Sequence, residues 1–379
     1  MCISHSGVIV SIKQSIGIEG WNKEIVQEGI VDSGIAAAVW NPEQTMLIIV
    51  TNNNSILAMS NTWDVLQEIP IESRVPISPC SISWRADGEF MVLLSVDAED
   101  SVTKVRVYNK DLEFVALGRN VAEGPASVLK GLGSTVAFGC NGSLIAVPQQ
   151  RVKRNHQIAL LEKNGLRHSD IDVKCPPLPA GYDEWEVTSL HWDLASTLLA
   201  VGLTAIKEGA ADPSDKAVGV VQLYYRNNYF WYLKYQWSDV GLKCLGFDTE
   251  IIGRLYLSQS CQHVPVIRII DAVWDVTTST TPDATTVVVN GADLLVTPLG
   301  ISLVPPPMSR YKVTLTNPCL QSCFWQHTVW GLVCLCDNYS IALLHGDDAG
   351  SPTVIGTINL LDEAEKYQQI DLSLSLIHI

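Results

Sequence analysis

The residues best equipped for chemistry are few and widely spaced. Cys319 and Cys323, with Cys334, Cys336 and His327 nearby, supply the sulfur and nitrogen donors that zinc takes in a tetrahedral array. Their spacing argues against a metal. Cys334 and Cys336 are two residues apart on an apolar run, so both thiols point to one strand face beside Leu332 and Leu335 and read as core. Asp97, Glu99 and Asp100 crowd one polar stretch and read as a solvated turn, not an acid–base pair. Arg151, Lys153 and Arg154, followed by His156, form one short basic patch that could touch phosphate. The densest feature is aromatic: Tyr224, Tyr225, Tyr229, Phe230, Trp231, Tyr232, Tyr235 and Trp237. Such a cluster either packs a sheet edge onto a core or presents an anchor to a protein partner. Pro305, Pro306 and Pro307, followed by Met308, cannot continue a hydrogen-bonded ladder and read as a stiff extended connector. The sequence contains no nucleophile elbow, phosphate loop, dinucleotide loop or His-Glu-x-x-His motif. No catalytic residue, metal ligand or cofactor is therefore assigned.

The elements that would position these residues are strands. Of the 379 residues, 47% are apolar and 17% charged, enough apolar surface for a large core and too little charge for global disorder. The 25 Lys+Arg against 40 Asp+Glu give a net charge of −15, which on average repels a phosphate backbone. Mean hydropathy is +0.18, yet the longest apolar runs are far shorter than the roughly 20 residues of a spanning helix. Met1 to His5 lacks the charged and apolar regions of a signal peptide. The ten scattered cysteines fit a reducing compartment, and the sequons at Asn53, Asn141 and Asn338 read as chance. The chain is expected in the cytoplasm or also the nucleus, with no membrane contact.

Short β-rich runs broken by Gly, Asn, Asp and Pro recur along the chain. Each unit has an aromatic anchor, a turn, a fully apolar strand and an alternating strand. The anchors are Trp40, Trp84, Phe138, Trp192, Phe247 and Phe324, with gaps of 44, 54, 54, 55 and 77 residues. The last gap holds a degenerate unit around Thr286 to Val296. A period of roughly 40–50 residues with several strands per unit predicts an all-β, WD-repeat-like β-propeller. About seven blades are expected, with the opening blade incomplete. Residues 1–345 are expected to form this propeller and 346–373 a connector. Residues 374–379 match one frame of a sequencing adapter and read as an artefact.

Five segments in order carry a family resemblance. They are Trp84–Gly88 with Lys104–Asn109, Asn141–Ala146, Gln157–His168, Asn227–Lys234 and Val304–Met308. Together they resemble the largest-subunit family of the Elongator complex over about residues 30–345, and Val304-Pro-Pro-Pro-Met308 is the most specific. The resemblance implies a non-catalytic scaffold with two N-terminal propellers and a helical arm through which the full-length protein forms a homodimer. It implies a complex that modifies the wobble uridine (position 34) of tRNA, with catalysis in a separate radical-SAM acetyltransferase subunit. Partner contacts are expected at Tyr229, Phe230, Trp231, Pro305, Pro306, Pro307 and Met308, and weak tRNA contact at Arg151, Lys153 and Arg154. The alternatives are a propeller scaffold of a vesicle-coat or ciliary transport complex and, less favoured by the apolar inner strands, a propeller hydrolase. An open ring leaves free strand edges, so the isolated chain is expected to be poorly soluble.

Overall fold

The computed structural model describes residues 2–3, 6–17, 20–53, 55–71, 80–97, 101–120, 128–142, 144–150, 156–207, 217–261, 264–272, 277–278, 284–304, 307–325, 331–346 and 352–360. Among them lie eight antiparallel sheets, each a meander of consecutive strands. The first holds Cys2–Ile3, Val8–Gly17 and Gly20–Ile30; the second Ile35–Trp40, Met46–Thr51, Ser55–Ser60 and Val65–Pro70. The third holds Cys80–Trp84, Phe90–Val96, Thr103–Asn109 and Phe114–Leu117; the fourth Ala137–Phe138, Ile145–Gln150, His156–Leu161 and Arg167–Asp172. The fifth is the longest, with Glu184–Trp192, Leu198–Ile206, Val218–Asn227 and Phe230–Val240. The sixth has three strands, Lys243–Phe247, Arg254–Cys261 and Val264–Asp271. The seventh holds Thr277–Thr278, Thr285–Asn290, Asp293–Pro298 and Tyr311–Thr314; the eighth Cys319–Trp325, Gly331–Cys336, Ser340–Gly346 and Pro352–Asn359.

These are propeller-type sheets. The seven repeat units map onto the second to eighth sheets, and the residues before them add three strands of a further one. The last sheet takes its outer strand from Pro352–Asn359, so part of the stretch expected as a connector completes a sheet. Its run of Thr353, Val354, Ile355, Thr357 and Ile358 has the β-branched character that favours a strand. Residues 374–379 lie outside the described residues.

Core forms between sheets. Ile48 and Ile56 of the second sheet meet Trp84 and Leu93 of the third. Val92 and Val105 of the third meet Phe138 and Ile145 of the fourth. Leu160 and Ile171 of the fourth meet Trp192 and Leu199 of the fifth, whose opposite face packs Leu198 and Leu223 on Leu255 and Leu257 of the sixth. Second strands are buried on both faces, as in Met46–Thr51 and Leu198–Ile206, because a sheet lies on either side; most outer strands, such as Val65–Pro70, face solvent.

The anchors do what their spacing suggests, unevenly. Trp192 Nε1 donates to the Ala137 carbonyl of the preceding sheet at 3.1 Å. Trp84 is as deeply buried, but its Nε1 has no hydrogen-bond partner among the described residues. Four residues beyond four of the anchors the backbone turns through positive φ: Gln44 (55°), Gly88 (72°), Gly142 (84°) and Ser196 (54°). Asn41 and Asp193 brace two of these turns, each Oδ1 accepting two backbone N–H bonds.

Candidate interaction surface

The aromatic cluster divides into a buried stem and a bare tip. The strands Val218–Asn227 and Phe230–Val240 pair from Val218↔Val240 to Asn227↔Phe230, leaving Asn228 and Tyr229 as a two-residue turn. Asn228 takes φ 54°, a conformation Asn tolerates well. In the stem Tyr224 is buried, its hydroxyl donating to Gln222 Oε1 at 2.8 Å and accepting from the Lys174 N–H at 3.1 Å. Tyr235 stacks on Trp237 at 5.4 Å, and Trp231 meets Trp192 edge-on at 5.7 Å. At the tip Tyr229 is 77% exposed and Phe230 45%. Of the three expected contact residues here, two are free to meet a partner and Trp231 braces the anchor.

The second expected contact lies elsewhere, between the strands Asp293–Pro298 and Tyr311–Thr314 of the seventh sheet. Met308 is exposed, Pro307 half-buried, and Ile301 and Leu303 before them stand in solvent. Pro305 and Pro306 lie outside the described residues, as do Arg151, Lys153 and Arg154. The basic segment joins Ile145–Gln150 to His156–Leu161, and its flanks are acidic in company: Gln150 Nε2 donates to Glu184 Oε2 at 3.4 Å. Burial holds His156 below the ordinary histidine range, opposed by Glu184.

The reading of the acidic stretch changes in the fold, whereas Cys334 and Cys336 lie in the core as read. Asp97 is not a solvated turn residue: it is buried, with Arg106 Nη2 at 2.5 Å and Lys104 Nζ at 3.1 Å. The apolar strands around it concealed a buried ion pair; Glu99 and Asp100 lie outside the described residues. Cys319, Cys334 and Cys336 are buried between the seventh and eighth sheets, while Cys323 is exposed on the same strand as Cys319. A hydrogen bond with Cys319, then burial, raises the Cys334 thiol, and burial pushes Cys336 up to about 11. His327 lies outside the described residues.

The surface that the sequence did not announce is a polar joint between the fifth sheet and the seventh and eighth. Lys174 Nζ donates to the Asn290 carbonyl at 2.6 Å and pairs with Asp293 at 3.1 Å. Gln222 Nε2 donates to the Lys174 carbonyl at 2.6 Å and to Gln236 Oε1 at 2.8 Å, and Gln236 Nε2 donates to Asp337 at 3.2 Å. Lys234 Nζ donates to the Val289 carbonyl at 2.9 Å. Gly291 at φ 68° sends its N–H to the Leu233 carbonyl, and a Cβ there would meet Leu233 Cδ2 at 2.9 Å. Burial pushes Lys234 down to about 8 and raises Asp337 above the usual carboxylate range. A cavity of about 480 Å³ lies in the joint, walled by Pro176, Pro177, Asn317 and Asp337. The signal was there in part: Lys234 and Gln236 are polar residues two apart in an aromatic strand, a pattern that asks for buried partners.

A family model described as "ELP1 first N-terminal beta-propeller" matches residues 1–78 and 74–243, and one described as "ELP1 N-terminal second beta-propeller" matches residues 288–375. Elongator complex protein 1 of Rattus norvegicus is 28% identical over 88% of this chain and 27% of its own length. The same-named protein of Schizosaccharomyces pombe is 24% identical over 83% of this chain and 26% of its own. A putative elongator complex protein 1 of Xenopus laevis is 30% identical over 62% and 19%. The chain spans about a quarter of the length of these curated relatives. The first match ends at residue 243 and the second begins at residue 288.

Proposed function

This chain belongs to the Elongator complex protein 1 family, and we propose that it is a non-catalytic scaffold segment of the Elongator complex. In this reading the first six sheets are one propeller unit and the last two begin a second, with the polar joint fixing the angle between them. The whole protein supports wobble-uridine (U34) modification of tRNA in the cytoplasm, holding the radical-SAM acetyltransferase subunit while that subunit performs the chemistry. The full-length protein pairs as a homodimer through a region outside this chain, and its contact with tRNA is indirect or weak.

One observation carries the scaffold reading: the buried and half-buried charged groups tie structure together. Buried Arg106 holds Asp97 just past the neighbouring strand, buried Lys234 of the fifth sheet reaches the Val289 carbonyl of the seventh, and half-buried Lys174, between the fourth and fifth sheets, pairs with Asp293 of the seventh. The exposed tip at Tyr229 and Phe230 and the Met308 segment are the proposed partner contacts. The test is affinity purification of the tagged full-length protein from its native cells with mass spectrometry. Stoichiometric recovery of a radical-SAM acetyltransferase subunit and a second WD-repeat subunit is expected, and Tyr229→Ser with Phe230→Ser should lower that recovery without moving the melting temperature. Recovery of coat or transport subunits instead would overturn the reading.

A further inference from the structure

The sixth sheet lies between the two family matches and differs from its neighbours. Its outer strand pairs on one side with Arg254–Cys261, from Arg254↔Asp271 to Cys261↔Val264. Among the described residues no strand pairs with its other side. In the complete sheets the third strand is covered by a fourth and buried: Ile56, Val107, Leu160, Val221, Leu294 and Leu344 are almost fully enclosed. The sixth sheet's third strand has the same composition, Val266-Ile-Arg-Ile-Ile270, yet Ile267 is 62% exposed and Ile269 61%. Register places Ile270 and Arg268 opposite Leu255 and Leu257, toward the fifth sheet, and Ile269 and Ile267 opposite Tyr256 and Ser258, on the outer face. A strand with interior composition is left at an edge.

We propose that this edge docks an extended segment of a partner protein as the sheet's fourth strand, with aliphatic residues at alternate positions and carboxylates between them. Backbone groups along Val266–Asp271 supply the ladder, Pro265 having no N–H to give, and Ile267 and Ile269 supply the apolar contact. Charge chooses the occupant. Arg268 is half-exposed; its Nη2 faces Asp239 at 3.4 Å and donates to Gln259 Oε1 on the sheet-facing side, which leaves its remaining N–H groups for a docked strand. The antiparallel register that would set Ile267 against Ile269 of a second copy also sets Arg268 against Arg268, a like-charge pair that destabilises a strand contact. A carboxylate at that position is attracted instead. The proposal is independent of the Elongator reading.

The test uses the 379-residue chain and a labelled, capped peptide, Thr-Ile-Glu-Ile-Glu-Ile-Thr, read by fluorescence anisotropy. The expected result is binding weakened by about tenfold or more when Lys replaces Glu, or when alternate backbone amides of the peptide are N-methylated. Arg268→Glu should invert the preference between the Glu and Lys peptides. Ile267→Lys with Ile269→Lys should abolish binding while leaving the denaturation midpoint in place, since both side chains are exposed. Equal affinity for the Glu and Lys peptides, or indifference to N-methylation, would overturn the proposal. So would a concentration-dependent dimer in sedimentation that Ile269→Lys dissolves, because the edge would then belong to a second copy.

Discussion

The fifth and sixth sheets stand side by side and are made from similar strands, but they meet different surroundings. Val218–Asn227 has a fourth strand beside it and a sheet against each face, so Val220, Val221 and Leu223 are enclosed. Val264–Asp271 packs toward the fifth sheet on one face only, and four consecutive residues from Val266 are exposed. A strand's own apolar content therefore does not decide its burial; the number of neighbours does. The enclosed sheet can then hold Gln222, Lys234 and Gln236 inside, because each finds a partner across a joint.

The comparison breaks first on large-to-small substitutions. Leu223→Ala in the fifth sheet is expected to cost about 2–5 kcal/mol by leaving a cavity, whereas Ile269→Ala in the sixth should stay within about 0.5 kcal/mol; urea unfolding of both variants checks this. Equal losses would mean that the outer strand of the sixth sheet is enclosed after all. Next is the joint. Gln222→Leu strands the Lys174 carbonyl and the Tyr224 hydroxyl, for an expected loss of about 1–3 kcal/mol.

The anchors sharpen the comparison between joints. Trp192→Phe removes the bond to Ala137 and should cost more than Trp84→Phe, which removes a buried donor with no partner among the described residues. A smaller effect is pH-dependent. Burial lowers Lys234 from 10.5 to about 8. Above that value the unfolded chain binds more protons at this residue than the folded one does, so its contribution to stability rises with pH toward 10.5. Lys234→Met removes the contribution. The denaturation midpoint of the native chain, relative to Lys234→Met, should therefore rise from pH 8 to 9.5; taking the difference cancels the buried cysteines, whose raised values pull stability the other way.

Much of the fold was legible because its signals are local. Anchors such as Trp84 and Trp192, turn residues such as Asn41 and Gly142, and apolar runs such as Leu198 to Val201 each report one strand or turn, and their period reports the repeat. The chemistry between sheets was less legible. Asp97 sits in a polar stretch and Arg106 nine residues away, and only the pairing of Phe90–Val96 with Thr103–Asn109 brings them together. Lys174 and Asp293 are 119 positions apart. The exposed Tyr229 was visible as part of an aromatic cluster, but nothing in the cluster separated its bare tip from the buried Tyr224. The sixth-sheet edge was hidden for the opposite reason: Val266 to Ile270 reads as an interior strand, and that no fourth strand pairs with it among the described residues leaves no mark on its own sequence.

Hydrogen exchange followed by mass spectrometry on the intact chain tests the contrast most directly. Peptides covering Val218–Asn227 should exchange slowly, and those covering Val264–Asp271 should retain a fast-exchanging half from amides on the unpaired side, which the Ile/Glu peptide should then protect. Equal slow exchange of both strands, unchanged by the peptide, would contradict the account.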